Sequence, residues 1–158
     1  HDLMSNGKIL VVYFSAGGVT AGVAEELAKA LGADLHEIVP AVRYTDADLD
    51  WMDKKSRSTV EMNDSGSRPA IAPTDLDISG YDTILLGFPV WWYVEPRIVD
   101  TFLDSYDFTG KTMIPFATSG GSSIDKSEVS LKAHCPAAHW KHGKRLTRAN
   151  AAAWAKSL

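Results

Sequence analysis

Three short apolar runs constrain this chain most. Lys8 to Phe14 reads K-I-L-V-V-Y-F, Tyr81 to Phe88 reads Y-D-T-I-L-L-G-F, and Lys111 to Ala117 reads K-T-M-I-P-F-A. Each is too short for a core helix, and the first two are rich in aliphatic residues without alternation. They predict strands buried on both faces, as in a parallel sheet. Amphipathic stretches follow them. Val19, Val23, Leu27 and Leu31 recur at spacing four, with Glu25 and Lys29 paired on the opposite face and Gly32 as a C-terminal stop. Pro96 opens a helix whose apolar stripe is Ile98, Val99, Phe102, Leu103 and Tyr106. Asp125 and Glu128 stand as an N-cap and N3 pair for the next helix. Asp34 to Val39 is a weaker strand closed by Pro40, and His139 to Leu146 a poorer one. Asn150 caps a short final helix carrying Trp154 and Leu158. Strand and helix thus alternate about five times. Each crossover helix must cover a sheet face, so the expected class is α/β: a three-layer α/β/α sandwich around a parallel sheet.

The chain has 158 residues and a net charge of −4. That length suits one domain, which we place at 8–158, and a chain of this size buries roughly 70% of its unfolded surface without staples. The H-D-L-M start reads as a tag remnant before Met4, with 1–7 as an N-terminal tail. The acidic balance argues against nucleic-acid binding. No apolar run approaches the roughly 20 residues of a membrane span. The lone Cys135 excludes an internal disulfide and a multi-cysteine metal site. It fits a reducing compartment, and we expect a cytoplasmic protein. The five histidines show no metal-binding spacing, so no metal is expected.

Three loops carry the chemistry, each after a predicted strand. Ser15, Ala16, Gly17, Gly18, Val19 and Thr20 lead into a helix N-terminus. Unpaired N–H groups there stabilise an anion, and the glycines allow close backbone approach. Pro89, Val90, Trp91, Trp92, Tyr93 and Val94 offer flat aromatic faces for stacking. Thr118, Ser119, Gly120, Gly121 and Ser122 carry donors without bulk. Taken singly, each loop is also compatible with an ordinary connection. Together, at the carboxyl ends of strands, they predict one pocket for a phosphorylated, planar, aromatic cofactor. Competing phosphate motifs fail: Gly17, Gly18 and Gly22 lack the dinucleotide spacing, and Gly110-Lys111-Thr112 precedes a strand and has Ser105 where a P-loop needs glycine.

These residues resemble the flavodoxin family over nearly the whole chain. The resemblance is closest to short bacterial flavodoxin-like proteins with a W-W-Y loop and an inserted segment, here Tyr44 to Trp51, Ser56 to Ser58 and Glu61 to Asp64. It implies a flavodoxin-like, five-stranded parallel sheet in order 2-1-3-4-5 and FMN as cofactor. Ser15 to Thr20 would then hold the phosphate, Pro89 to Val94 the ribityl and one flavin face, and Thr118 to Ser122 the pyrimidine end. One departure stands out. The family's phosphate loop usually carries threonine where this chain has Gly17. A hydroxyl donor to a charged group is worth about 1.5–3 kcal/mol, enough to weaken FMN about ten- to a hundredfold unless something compensates.

No catalytic residue is nominated, because the flavin itself supplies redox chemistry. Carriers of this family typically place a glycine beside the flavin N5, whose peptide flips to stabilise the semiquinone. Pro89 to Pro96 contains none, so a positive φ there would cost strain. Weak semiquinone stabilisation and two-electron chemistry follow, as in a NAD(P)H:quinone or FMN reductase. The expected partners are a nicotinamide or redox-protein donor and a quinone or redox-protein acceptor, with a homodimer compatible. A one-electron carrier and a binding module that has lost FMN are the alternatives. The polar 41–75 stretch, with little periodicity beyond a helical turn near Asp46 to Met52, could form a lid. Trp51 and Met62 would wall a substrate site, and Arg57 or Arg68 would attract an anion.

Overall fold

A computed structural model describes residues 8–119 and 121–158; the N-terminal tail and Gly120 lie outside the described residues. The strands β1 (Lys8–Tyr13), β2 (Asp34–Glu37), β3 (Tyr81–Pro89) and β4 (Thr112–Thr118) pair side by side in the order β2-β1-β3-β4, all parallel. The expected fifth strand is split in two. β5 (His139–Trp140) and β6 (Lys144–Arg145) both run parallel to β4, with a break between them. The physical cause sits opposite the break. Pro115 has no N–H to offer a ladder, and a Cβ on Gly143 would fall 1.7 Å from the Pro115 carbonyl oxygen. The Gly143 N–H leaves the sheet and donates to Glu128 Oε2 at 2.5 Å.

Successive residues of the central strands face opposite layers. Leu10, Val12, Ile84, Leu86 and Met113 pack against Ile98, Val99, Phe102 and Leu103 of α3 (Arg97–Ser105) and Leu131 of α4 (Asp125–His134). Ile9, Val11, Leu85, Ile114 and Phe116 pack against Val23, Ala24, Leu27 and Leu31 of α1 (Val19–Leu31) and Ala151 and Ala155 of α5 (Ala151–Lys156). Helices therefore cover both faces, giving the three layers the alternation predicts. Gly87 is bare because the Phe116 ring lies over it, 2.1 Å from where a Cβ would stand.

Local details depart from expectation. Asp125 is the first residue of α4 rather than its cap. Ile124 holds the cap position, and Glu128 turns to His142 and Gly143 across the broken strand. Asn150 precedes α5, but its Oδ1 accepts from the Thr147 N–H instead of capping the helix. Val19 begins α1 yet is 68% exposed, outside the helix's buried stripe. The helical turn expected near Asp46 to Met52 is present as a single turn, the Leu49 N–H donating to the Thr45 carbonyl at 3.1 Å, and does not extend into a helix. The helix of this segment is α2 (Arg57–Met62), capped by Ser56, whose hydroxyl accepts from the Thr59 N–H. No helix among the described residues is long and apolar enough to cross a membrane.

Candidate functional site

A cavity of about 960 Å³ opens at the carboxyl ends of β1, β3 and β4. All three expected loops contribute to it. From the first come Ala16, Gly17, Val19 and Thr20; from the second, Pro89 to Tyr93; from the third, Thr118, Ser119 and Ser122. Ser15, Gly18, Val94 and Gly121 do not line it. They shape the loops instead: Ser15 Oγ accepts from the Gly18 N–H at 3.0 Å, and the Gly121 N–H donates to Ser119 Oγ. Gly120 lies outside the described residues.

The first loop is built for an anion. Gly18 takes φ 93°, a left-handed conformation that suits glycine, and turns the chain into α1. No side chain caps that helix, so its first-turn N–H groups remain available at the cavity. Beside Gly17 nothing stands within 4 Å of where a Cβ would be, which leaves open space on the loop. Thr20 Oγ1 and Thr118 Oγ1, both buried, share a 2.7 Å hydrogen bond that ties the first loop to the third.

The second loop is a tight hairpin turn. The Trp91 N–H donates to the Val94 carbonyl at 2.9 Å, and the Val94 N–H returns to Trp91 at 3.2 Å. Trp92 and Tyr93 sit between them at φ 48° and 73°. Positive φ at both central positions defines a type I′ turn. The absence of glycine does not keep the loop out of this region, and tertiary contacts hold it there. Trp91 is wedged edge-on against Phe14 and Tyr44, with ring centroids 5.7 and 5.5 Å away. Ser127 Oγ donates to the Tyr93 carbonyl at 3.1 Å, and Lys126 Nζ lies 4.7 Å over the Tyr93 ring. Trp92 and Tyr93 remain 39% and 59% exposed, so flat apolar surface is left at the cavity mouth.

Directly after the turn comes Glu95, fully buried. Its Oε2 accepts from Ser130 Oγ at 3.1 Å, while Oε1 and the neighbouring buried Asp100 Oδ1 have no other partner. Burial first, then hydrogen bonding and repulsion from Asp100, push the Glu95 carboxyl up to about 9. It is a neutral acid near pH 7 and lies outside the cavity lining.

The 41–75 segment is anchored to the domain at several points. Residues Val39 to Ala41 are hydrogen-bonded to Ala70 to Ala72, the Tyr44 hydroxyl donates to buried Glu61 at 2.5 Å, and Arg97 Nη2 donates to the Met62 carbonyl at 2.9 Å. Desolvation and the Glu61 hydrogen bond together raise the Tyr44 phenol far above its usual range. Trp51 lines the cavity, as expected, at 69% exposure. Met62 does not, being buried behind it. Neither expected anion site is free. Arg57 pairs with Glu61 at 2.9 Å, donates to the Val42 carbonyl and stacks on Tyr44, while Arg68 pairs with Asp104 at 2.7 Å. Cys135 is partly buried, and burial raises its thiol above the usual value.

Several cavity residues are not among those expected in the site: Leu49 and Ser58, within the motifs of the inserted segment, Leu146 at the end of the weak last strand, and Thr147 and Arg148, which carry no sequence signal. The assembled donors suit a ligand with an anionic end at α1, a planar body at Trp91 to Tyr93 and a polar edge at Thr118 to Ser122. Those are the parts of FMN. Among the described residues no group of three or more histidine, cysteine or acidic side chains is placed to hold a metal ion.

A family model described as Flavodoxin matches residues 8–157. The chain is similar to a protein described as a flavoprotein from Bacteroides eggerthii, with 50% identity, coverage of 96% of this chain and 98% of that one, and a TM-score of 0.89. A second, from Bacteroides uniformis, shares 51% identity over 95% of this chain and 98% of its own, at a TM-score of 0.91. A flavoprotein from Lactobacillus acidophilus, solved in complex with FMN, shares the fold at 22% identity, covering 94% of this chain and 98% of that chain with a TM-score of 0.77. No curated protein matches the chain.

Proposed function

Because the chain belongs to the flavodoxin family, we propose that residues 8–158 form one domain that holds FMN in this cavity and works as a two-electron oxidoreductase. Its donor is a reduced nicotinamide or a redox protein, and its acceptor a quinone-like molecule or a redox protein. The FMN-bound relative and the match between donor set and cofactor support the cofactor reading. FMN supplies the electron chemistry when bound. The chain's residues bind the phosphate at α1, flank the ring system with Trp91 and Trp92, and leave the Trp51 face at the mouth for a planar acceptor.

One observation supports the two-electron reading: the W-W-Y turn holds Trp92 and Tyr93 at φ 48° and 73° with no glycine, which disfavours exchange of its central peptide. Rotating the Trp92–Tyr93 peptide changes ψ of Trp92 and φ of Tyr93 together. That converts type I′ into type II′ and leaves Trp92 at the position type II′ reserves for glycine. The following peptide is pinned at both ends, its carbonyl by Ser127 and its N–H by Trp91. These features favour one backbone face toward a bound ring system. Stepwise chemical reduction of the FMN-loaded protein, followed by absorbance, tests this. A single two-electron conversion is expected. Two well-resolved one-electron steps would instead establish the carrier reading.

A further inference from the structure

Gly22 occupies the interior of α1, where alanine is the better helix former. Across the groove, a Cβ on Gly22 would come within 3.3 Å of Arg148 Nη1 and 3.6 Å of its Cζ. The bare glycine is the seat on which the guanidinium rests. Arg148 leaves the loop between β6 and α5 and lines the same cavity as Ala16, Gly17 and Thr20. It takes part in no ion pair among the described residues, whereas Arg57, Arg68 and Arg97 all do. Because α5 and α1 pack into the same core layer, the arginine and the first loop are held on a common support.

We infer that Arg148 is the specificity-determining residue for the cofactor's phosphate. The inference rests on the FMN reading above. A guanidinium presents a planar fork of donors that matches a phosphate, and it keeps its charge at any working pH. Its seat on Gly22 puts it on α1, the helix whose first turn follows Gly17, so a residue from the far end of the sequence can replace the hydroxyl that the loop lacks. Riboflavin has the same ring and ribityl chain but no phosphate, and gains nothing from Arg148.

The test is titration of the full chain with FMN and with riboflavin, read by flavin fluorescence at low and high salt, for wild type, Arg148→Gln, Arg148→Lys and Gly22→Ala. Arg148→Gln should weaken FMN by about tenfold to a hundredfold and flatten its salt dependence, while riboflavin stays within about twofold. Arg148→Lys should recover part of the loss. Gly22→Ala, whose methyl touches the guanidinium, should change FMN affinity only through Arg148 and so add nothing to Arg148→Gln. Arg148 sits on an exposed loop, and thermal melts will show that each variant is folded. Equal weakening of FMN and riboflavin, or unchanged FMN affinity, overturns the assignment. A wild type that binds both flavins equally removes the role of Arg148 but keeps the flavin site, whereas one that binds neither removes the flavin site itself.

Discussion

Replacing Glu95 with glutamine should make the protein more stable at neutral pH and flatten its pH dependence. Glu95 is fully buried under the W-W-Y turn, and its carboxyl is pushed from an ordinary 4.5 up to about 9. The folded chain therefore keeps a proton that the unfolded chain releases. This group's contribution is complete below pH 4.5 and is lost as pH rises from there toward 9. Over the 2.5 units between 4.5 and 7, at 1.36 kcal/mol per unit, the loss reaches about 3 kcal/mol. Glutamine fills the same space and does not titrate. Other groups also shift. Burial lowers His36 from 6.5, so that group favours the folded state increasingly as pH rises to 6.5, and Asp77, Asp104 and Asp107 are lowered from 3.8 and act only in more acid solution. These are common to both proteins and cancel in the difference. Urea unfolding followed by tryptophan fluorescence, across pH 4.5 to 9, gives that difference directly. Curves that converge at low pH and diverge above it, with Glu95→Gln the more stable, are expected. Parallel curves would refute the buried-acid assignment.

Two further substitutions probe the scaffold and the turn. Gly87→Ala would place a methyl 2.1 Å from the Phe116 ring, and such overpacking should lower the unfolding free energy by about 3 kcal/mol and the melting temperature by roughly 10 °C, with partial recovery when Phe116→Leu is added. Trp92→Gly permits the type II′ turn and relieves about 1–2 kcal/mol of left-handed strain, so reductive titration of this variant should resolve two steps where the wild type shows one.

The three loops are legible in the sequence because each is announced locally, by a buried strand before it and a helix signal after it. Arg148 is not. It follows K-H-G-K-R-L-T, a polar stretch that reads as a poor strand, and only the pairing of β6 with β4 carries it to α1. The conformation of Trp92 and Tyr93 was hidden for a related reason: local preference opposes it, and contacts from Phe14, Tyr44 and Ser127, distant in sequence, impose it. Helix α2 carries no periodic signal because its six residues show no apolar stripe, with Val60 facing solvent while Ser58 and Glu61 are buried. Asp125 and Glu128 formed a persuasive local cap, but the carboxylate of Glu128 found a stronger partner in the N–H that Gly143 could not give to the sheet. Asp104 becomes a neighbour of Arg68 only in the folded chain, whereas Glu61 lies four residues after Arg57 and pairs with it once α2 forms.

The break between β5 and β6 also determines how this molecule meets its own kind. A long, flat border strand is a template on which a second chain can add itself. Here that border is two fragments of two residues each, separated where Gly143 turns its N–H inward. The opposite border, β2, is four residues long and carries Asp34, His36 and Glu37. Both rims are short, and the β2 rim is charged, features that oppose strand addition. Filaments built by strand addition are thereby discouraged at both ends of the sheet.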